Sequence, residues 1–340
     1  MARVLITGAT GFIGSQLTQR LVARGDEVTC LIRRTSNIEA IEPLGVRLAL
    51  GDVRDAEAVR SAADRAETVY HLAGLTTAFR SSDLMQVNAA AFRNVVAACA
   101  ERPAPPTLVF VSSLAAAGPS RAERPRTEDD PPAPVSHYGR TKRAAELIAQ
   151  EFASRVPITI VRPPIVFGEG DLLMRPVFRP IFRYGIHMAI GVANRRYSLI
   201  HVSDLVDALI LCGQRGARLV PAYNGSGGST KGYYFVADDE QPTFAELGLL
   251  IGASLGRARV RICRTPGPVV LWSAAAASEI VARLRRQPSI FNFDKVREAR
   301  AGSWTCSSAT IRSELGFAPC APLIDRLRQT ADWYRQHNWL

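Results

Sequence analysis

The sequence lacks a long apolar run and has no cysteines at close spacing. Its longest apolar stretch, residues 266–277, is well short of the roughly 18 residues that a membrane span needs. None of the six cysteines has a second cysteine or a histidine at metal-ligand spacing. We therefore expect free thiols in a reducing compartment, a cytoplasmic protein without an integral membrane span, and no metal site.

Lysine is also scarce, since it occurs only at Lys142, Lys231 and Lys295, although Lys and Arg together outnumber Asp and Glu by 42 to 31. The positive charge is therefore mostly arginine, and it is spread along the chain without a basic block. Nucleic-acid binding usually requires clustered positive charge, so we expect no nucleic-acid partner. Such a field still attracts an anionic cofactor or small-molecule substrate.

The first 165 residues alternate short apolar runs with longer helical patterns, an order typical of a parallel sheet covered on both faces. This alternation predicts an α/β fold with a doubly wound parallel sheet, the Rossmann architecture, over residues 1–165. The predicted strands cover residues 3–7, 27–32, 47–50, 68–72, 107–112 and 158–161, and the predicted helices cover residues 12–24, 56–65, 84–102 and 137–154.

After Val166 the pattern changes to glycine, proline and aromatic residues. We expect residues 166–340 to form mainly a smaller α+β substrate domain, with some segments returning to the sheet. Predicted helices cover residues 172–184, 202–214, 244–255 and 269–286, predicted strands cover 197–200, 233–236 and 260–263, and residues 225–229 are predicted to form a flexible loop.

A glycine-rich turn follows the first predicted strand and opens the first predicted helix. Its sequence is Thr7-Gly8-Ala9-Thr10-Gly11-Phe12-Ile13-Gly14. Gly8 permits a sharp turn, Gly11 lets backbone N–H groups approach a pyrophosphate, and Gly14 lets the helix pack closely on the strand. The strand before the turn and the helix after it make this a dinucleotide site.

The residues after the second strand indicate the cofactor. An enzyme that prefers NAD usually carries an acid there, whereas this chain has Arg33 and Arg34, which suit the 2′-phosphate of NADP. NAD is not excluded, because both arginines could instead stack on the adenine or lie in solvent. Asp52, followed by Val53, is predicted either to lie beside the adenine amino group or to cap a helix.

Tyr138 and Lys142 lie four residues apart at the start of a predicted helix, so their side chains share one face. A free phenol titrates near ~10, and a nearby ammonium is needed to lower its pKa for acid/base work at neutral pH. Ser113 ends the fifth strand, at the edge where parallel sheets bind ligands, and is predicted to hydrogen-bond the reacting oxygen.

Several motifs together resemble the extended short-chain dehydrogenases/reductases, within the NAD-dependent epimerase/dehydratase superfamily. They are residues 7–14, Asp52-Val53, His71-Leu72-Ala73-Gly74, Asn88, Ser112-Ser113, Tyr138-x-x-x-Lys142 and Arg162-Pro163-Pro164. The resemblance covers nearly the whole chain and implies hydride transfer at a carbonyl or alcohol carbon. Tyr138 would pass the proton, Ser113 would orient the oxygen, and Lys142 would bind the nicotinamide ribose and lower the tyrosine pKa.

The resemblance also implies further cofactor contacts. Asn88 would support the catalytic arrangement, although a helix-packing role is an alternative. The predicted cofactor contacts within the glycine turn are Thr7, Gly8, Gly11, Phe12, Ile13 and Gly14. Besides these, the two arginines and the Asp52-Val53 pair, the implied contacts are Leu72, Ala73, Gly74, Asn88, Val111, Tyr138, Lys142, Pro163, Ile165 and Val166. Paired helices in the family often make a homodimer, here through the helices beginning near Leu84 and His137.

At three places the sequence differs from motifs of particular branches of the family, and these differences indicate which branch it resembles. Ser113-Leu114-Ala115 replaces the acid pair of sugar-nucleotide dehydratases, and Pro164 and Ala117 replace residues typical of sugar-nucleotide epimerases. The motifs most resemble 3β-hydroxysteroid dehydrogenases and dihydroflavonol reductases, which implies a bulky hydrophobic ketone or alcohol. Candidate substrate contacts are Thr76, Ser113, Leu114, Pro164, Met174 and Phe178, while Phe182, Met188 and Trp272 are further pocket candidates; each apolar one could equally be core.

Two alternatives remain open at this point. One is a sugar-nucleotide epimerase that keeps NAD tightly bound, because the segment containing His201 and Asp204 also resembles epimerase-like proteins. The other is a non-catalytic nucleotide-sensing scaffold, for which the intact Ser113, Tyr138 and Lys142 would have no physical use. We expect His201 and Asp204 to fix the junction between the two halves of the chain.

Overall fold

The computed structural model describes residues 1–121, 124–189, 194–221, 230–264, 267–289 and 291–340. The strands are β1 (Arg3–Thr7), β2 (Glu27–Ile32), β3 (Arg47–Leu50), β4 (Thr68–His71), β5 (Thr107–Val111), β6 (Ile158–Arg162), β7 (Ile165–Phe167), β8 (Ile186–Ala189), β9 (Leu199–His201), β10 (Tyr233–Phe235) and β11 (Arg261–Arg264).

The helices of the first half are α1 (Phe12–Ala23), α2 (Ala56–Ala63), α3 (Ser81–Met85), α4 (Ala91–Ala100), α5 (Leu114–Ala117) and α6 (His137–Glu151). Those of the second half are α7 (Arg175–Tyr184), α8 (Val202–Arg215), α9 (Phe244–Ser254), α10 (Gly267–Leu284), α11 (Phe293–Ala301), α12 (Ala309–Leu315) and α13 (Leu323–Gln336). A 3₁₀ turn covers Glu42–Leu44, and a π-helical turn, Gln86–Ala90, joins α3 to α4.

Within the described residues, seven strands form one parallel sheet in the order β10-β6-β5-β4-β1-β2-β3. The predicted doubly wound α/β fold is therefore confirmed. The strand order reverses between β1 and β4, and this is the place where such sheets bind ligands at their carboxyl ends. β10 comes from the second half of the chain and pairs with β6, so this segment returns to the sheet as expected.

Apolar side chains cover both faces of the sheet. One face packs against α1 and α8, with Leu17, Leu21, Leu205 and Leu209 fully or almost fully buried. The other packs against α2, α4 and α6, with buried residues that include Phe92. Burial on both faces explains why the strands are apolar throughout rather than alternating.

The second half builds a separate apolar cluster. It joins α7, α9 and α13 and includes Phe178, Ile251 and Tyr334. Two short parallel pairs, β7 with β9 and β8 with β11, lie outside the main sheet. None of the described helices is long and apolar enough to cross a membrane.

The structure differs from the predicted elements in several places. The single helix predicted over residues 84–102 is divided into α3, the π-helical turn and α4. β7, β8, α5, α11, α12 and α13 were not predicted, although in α13 Leu323, Leu327 and Ala331 recur at helical spacing. The predicted loop at residues 225–229 lies outside the described residues.

Candidate active site

The glycine turn is shaped by close backbone approaches. A Cβ on Gly14 would lie 2.1 Å from the carbonyl oxygen of Gly8, and one on Gly8 would lie 2.6 Å from the backbone nitrogen of Ala73. Gly8 also has a φ of +77°. Helix α1 begins after Gly11, and no side chain in the described part of the chain caps its first turn. Its N–H groups and the positive end of the helix dipole therefore suit a pyrophosphate, so the residues present fit a dinucleotide.

The loop after β4 is tied to this turn. Thr7 Oγ1 lies 2.8 Å from His71 Nδ1 and accepts a hydrogen bond from the Ala73 N–H at 3.4 Å, while the Leu72 N–H donates to the Thr7 carbonyl. Burial, together with the charge of Lys142, lowers the pKa of His71 to about 3. His71 is therefore a neutral structural residue that holds the Leu72-Ala73-Gly74 segment against the glycine turn.

The residues expected to bind the adenosine end lie at the edge of the sheet. Arg33 and Arg34 are both exposed, directly after β2. A hydrogen bond and ion pair with Arg54 are the main cause that lowers the pKa of Asp52, and Arg33 adds a smaller effect. The helix-cap alternative for Asp52 is wrong, because Asp55 caps α2 by accepting hydrogen bonds from two first-turn N–H groups.

Ser113 and Tyr138 lie together at the carboxyl end of β5. Ser113 caps α5, and its Oγ accepts a hydrogen bond from the Ala115 N–H at 3.1 Å. Burial raises the pKa of Tyr138 to about 12, and the hydrogen bond with Ser113 partly offsets this rise. At neutral pH the phenol is therefore protonated. It lies beside the Ser113 hydroxyl, so both groups can hydrogen-bond the same substrate oxygen.

Lys142 lies one helical turn from Tyr138 on α6, as predicted, and its ammonium contacts the end of β5. Lys142 Nζ donates a 3.0 Å hydrogen bond to the Val111 carbonyl and lies 5.2 Å from the centroid of the Phe110 ring. Burial lowers the pKa of Lys142 to about 8. The expected lowering of the Tyr138 pKa by Lys142 stays a prediction, because the hydrogen bond to Val111 leaves the charge of the ammonium in place.

Asn88 connects these residues from within the π-helical turn. Its side chain accepts from the Leu75 N–H at 2.7 Å and donates to the Leu75 carbonyl and to Thr141 Oγ1. Thr141 in turn donates to the Tyr138 carbonyl. A Cβ on Gly74 would lie 3.0 Å from Asn88 Oδ1 and 3.4 Å from Lys142 Nζ. Asn88 therefore links the loop after β4 to the helix of Tyr138 and does more than pack a helix.

A buried ion pair beneath the site is missing from the sequence prediction. Glu146, one turn beyond Lys142, binds Arg162 through two hydrogen bonds of 2.8 and 2.7 Å and accepts a third from Ser112 at 2.6 Å. The Glu146 and Arg162 side chains are 0% and 3% exposed. The pair ties α6 to β5 and β6, and no local pattern could have shown that two charges 16 residues apart meet here.

Three other predicted cofactor contacts, Pro163, Ile165 and Val166, follow the end of β6. The Pro163 carbonyl accepts a hydrogen bond from the Leu114 N–H at 2.8 Å, which brings Pro163 and Pro164 beside Ser113. Ile165 and Val166 are half-buried in β7.

The predicted contact Val53 lies elsewhere, directly after Asp52. It packs on the apolar cluster that includes residues of α2 and α4, and its carbonyl accepts a hydrogen bond from the Asn94 side chain.

The predicted substrate contacts separate into two groups. Leu114 packs in the same apolar cluster as Tyr138, and Thr76 lines a cavity of about 290 Å³ together with Phe79, His137 and Asp294. Met174 and Phe178 instead belong to the core of the second half, where Phe178 packs edge-on against Tyr334. A larger cavity, about 530 Å³, lies by α2 and the first residues of β1, β2 and β3, and none of the predicted catalytic residues lines it.

The further pocket candidates lie in three different parts of the second half. Trp272 packs against Phe293 in a small cluster between α10 and α11. Phe182 is partly buried against the apolar cluster of α7, α9 and α13, and Met188 in β8 is 48% exposed. The apolar pattern of the second half therefore mainly reflects packing, because each segment buries its own apolar face.

His201 and Asp204 have contacts that fit a structural junction. His201 caps α8 through its Nδ1 and lies 3.3 Å from the Glu169 carboxylate. Asp204 forms a paired ion bridge with Arg326 of α13, with a closest distance of 2.5 Å, and accepts from the Cys320 N–H. These contacts join α8, which covers the sheet, to the C-terminal helix.

This fold and site define an enzyme of the extended short-chain dehydrogenase/reductase type. The model of the NAD-dependent epimerase/dehydratase family matches residues 4–224. The chain belongs to this family.

Relatives along nearly the whole length include enzymes with several activities. The chain is 31% identical over 339 residues to a ceramide reductase from Caulobacter vibrioides, covering 99% of this chain and 96% of that one. It is 27% identical to a 3β-hydroxysteroid dehydrogenase/Δ5→4-isomerase from Mycobacterium tuberculosis, covering 98% and 90%. The crystal structure of a UDP-glucose 4-epimerase from Thermus thermophilus, in complex with NAD, has a TM-score of 0.74 at 22% identity, covering 98% and 99%.

Proposed function

We propose that the protein is a reductase/dehydrogenase that transfers a hydride between a nicotinamide cofactor and the ketone or secondary alcohol of a bulky, hydrophobic molecule. The observation that carries this proposal is the placement of the Tyr138 phenol beside the Ser113 hydroxyl, one helical turn from the buried Lys142. Relatives named as ceramide reductase and 3β-hydroxysteroid dehydrogenase support the substrate class.

The roles of the residues follow from their positions. Ser113 would hold the substrate oxygen, and Tyr138 would donate its phenolic proton to that oxygen as the carbonyl is reduced. Lys142 would bind the nicotinamide ribose, and the α1 N-terminus would bind the pyrophosphate. The cofactor, when bound, supplies the hydride. Apolar walls around the site, including Leu114, would exclude water from the reacting carbon.

The test is cofactor oxidation with a panel of ketones. Purified protein with NADPH would be offered a ceramide-type ketone, a 3-ketosteroid and a dihydroflavonol, and separately a UDP-sugar, which has no ketone to reduce, with Tyr138→Phe as the paired variant. We expect turnover of at least one hydrophobic ketone that depends on Tyr138. Equal rates for the two proteins on every ketone would contradict the assignment.

The epimerase alternative makes a different prediction for the purified protein. An epimerase retains NAD, because it reduces and reoxidises the same cofactor within one cycle. A reductase releases its cofactor at each turnover, so we expect little nucleotide after denaturation and absorbance measurement. Stoichiometric NAD, together with interconversion of the UDP-sugar, would replace our proposal by epimerisation.

We further propose that NADP is preferred over NAD. Arg33 and Arg34 are exposed directly after β2, where the 2′-phosphate of NADP would lie. Replacing both by alanine should raise the Kd for NADPH by roughly 10–100-fold, as expected for the loss of charged hydrogen bonds, and leave the Kd for NADH almost unchanged. Titration of the nucleotide fluorescence measures both constants, with Arg47→Ala, an exposed arginine of β3, as the control.

A cytoplasmic homodimer completes the proposal. Each of the six cysteines lies in a described part of the chain and is unpaired, which suits a reducing compartment. Leu147 on α6 is half exposed, and it lies on one of the two helices expected to pair. Light scattering should give twice the 37.0 kDa of one chain, and Leu147→Lys should shift the mass towards the monomer. A monomeric wild-type protein would refute the dimer.

A further inference from the structure

The first turn of the catalytic helix is bound by a carboxylate from a distant part of the chain. Asp294, in the first turn of α11, accepts hydrogen bonds from the His137 N–H at 2.9 Å and from the Tyr138 N–H at 3.1 Å, one through each oxygen. Ser136 accepts the next two, from the Gly139 N–H through Oγ and from the Arg140 N–H through its carbonyl. The N–H groups of His137, Tyr138 and Gly139, three of the four that a helix leaves without internal partners, are therefore satisfied, while the bond from Arg140 is the first internal bond of α6.

This arrangement contrasts with that of α1. The first turn of α1 has no side-chain cap from the residues that the structure describes and is open to an anion, whereas a protein carboxylate binds the first turn of α6. A carboxylate at this end is favoured both by the hydrogen bonds and by the helix dipole. The two helix starts therefore have different roles, with α1 suited to ligand binding and α6 held in place.

Other residues of α11 lie against the same tyrosine. Lys295 Nζ lies 5.9 Å from the centroid of the Tyr138 ring and pairs with Glu298 at 2.7 Å. Glu298 also contributes to the raised pKa of Tyr138, after the larger effect of burial. The contact between α11 and Tyr138 therefore involves both the backbone and the ring.

We propose that Asp294 is a positioning residue, which fixes the start of α6 and so aims the Tyr138 phenol at the substrate oxygen. It would act through the backbone, without touching the substrate, and it would connect the α10–α11 wall of the 290 Å³ cavity to the catalytic helix. The inference rests on the proposed acid/base role of Tyr138, but its first two tests below require no turnover.

The test compares Asp294→Asn with Asp325→Asn. Asparagine keeps the shape of the side chain but has only one acceptor oxygen, because its NH₂ group cannot accept from an N–H. Asp325 is a matched control, since it also lies in the first turn of a helix and pairs with an arginine three residues on, without contact to α6. Thermal unfolding would show that both variants fold.

Three measurements follow. Hydrogen exchange resolved to single amides should become about tenfold faster at His137 or Tyr138 in Asp294→Asn, the size expected for losing a bond to a charged acceptor. The ¹³Cζ resonance of Tyr138, assigned by its loss in Tyr138→Phe, should shift. On the ketone that the wild type reduces fastest, kcat should fall about tenfold with an unchanged cofactor KM, and Asp294→Glu should recover part of the loss.

The outcomes are separable. Unchanged exchange in Asp294→Asn would overturn the cap, and faster exchange with an unmoved Tyr138 resonance would overturn the positioning role. Changes of equal size in Asp325→Asn would also overturn it. If exchange and resonance change as expected but no ketone is reduced by the wild type, the positioning role stands and the proposed function fails.

Discussion

Replacing Tyr138 by phenylalanine should lower kcat for ketone reduction by about 10²–10⁴-fold, the range associated with loss of a general acid. Phenylalanine keeps the ring that packs near Leu114 and Tyr197, so the fold should be unaffected. Only the proton donor is removed. Stopped-flow or steady-state NADPH oxidation would measure the rate, and unfolding temperature and nucleotide affinity should match those of the wild type.

The pH dependence of ketone reduction tests the roles of Tyr138 and Lys142. Burial raises the pKa of Tyr138 to about 12, so the phenol keeps its proton throughout the physiological range and is ready to donate it. Burial lowers the pKa of Lys142 to about 8, so its charge is present below that pH and is lost above it. Reduction should therefore be constant below about pH 8 and decline above it, and a rate that rises through pH 8 would contradict these roles.

The variant Ser113→Ala tests the contribution of the Ser113 hydroxyl separately from that of the Tyr138 phenol. It should also lose activity, but the phenol pKa should rise further, because the Ser113 hydrogen bond partly offsets the effect of burial. Thr10→Ala, in the glycine turn but outside the predicted contacts, serves as the control for small changes near the cofactor.

The parts of the site that could be predicted are those fixed by local geometry. The four-residue spacing of Tyr138 and Lys142 determines that they share a helix face, and Ser113 follows a strand whose apolar pattern identifies it. The steric requirement at Gly8 and Gly14 likewise follows from the strand-turn-helix context. Each of these features depends on a few neighbouring residues, so the sequence alone contains it.

The remaining parts depend on contacts between distant segments. Asp294 reaches α6 across 156 residues, and its local sequence, an asparagine cap followed by an acid, predicts only that a helix begins there. The bond between Lys142 and the Val111 carbonyl depends on how closely α6 packs on β5, which no spacing shows. Met174 and Phe178 lie in the core of the second half, and the sequence does not distinguish a substrate contact from packing because an apolar residue is equally suited to a pocket and a core.

The second large effect expected is on stability, at the buried pair of Glu146 and Arg162. Glu146→Leu removes the carboxylate and leaves Arg162 buried without its counter-charge, which should cost about 3–5 kcal/mol in the free energy of unfolding. At roughly 2 °C for each kcal/mol in a large domain, the unfolding temperature should fall by roughly 6–10 °C. Chemical denaturation and calorimetry would measure both quantities.

Two further variants identify the cause. Glu151→Gln, on the same helix, breaks an exposed pair with Arg93 and should change stability by less than about 1 kcal/mol. The double variant Glu146→Leu/Arg162→Met removes both buried charges and should recover most of the loss, because an apolar pair carries no desolvation cost. A double variant as unstable as Glu146→Leu would show that packing, and not the unpaired charge, dominates.

The pH dependence of this stability has a definite sign. Burial tends to raise the pKa of Glu146, but the charge and hydrogen bonds of Arg162, with Ser112 and Arg143, outweigh it, so the folded-state pKa is lowered. The stabilisation is therefore complete above the unfolded value near ~4.3 and is lost as the pH falls below it. The difference between wild type and Glu146→Leu should consequently be constant from pH 6 to 8 and shrink below about pH 4.3. A difference that grows on acidification would mean that Glu146 is protonated in the folded protein, and the ion pair would not be the source of its stability.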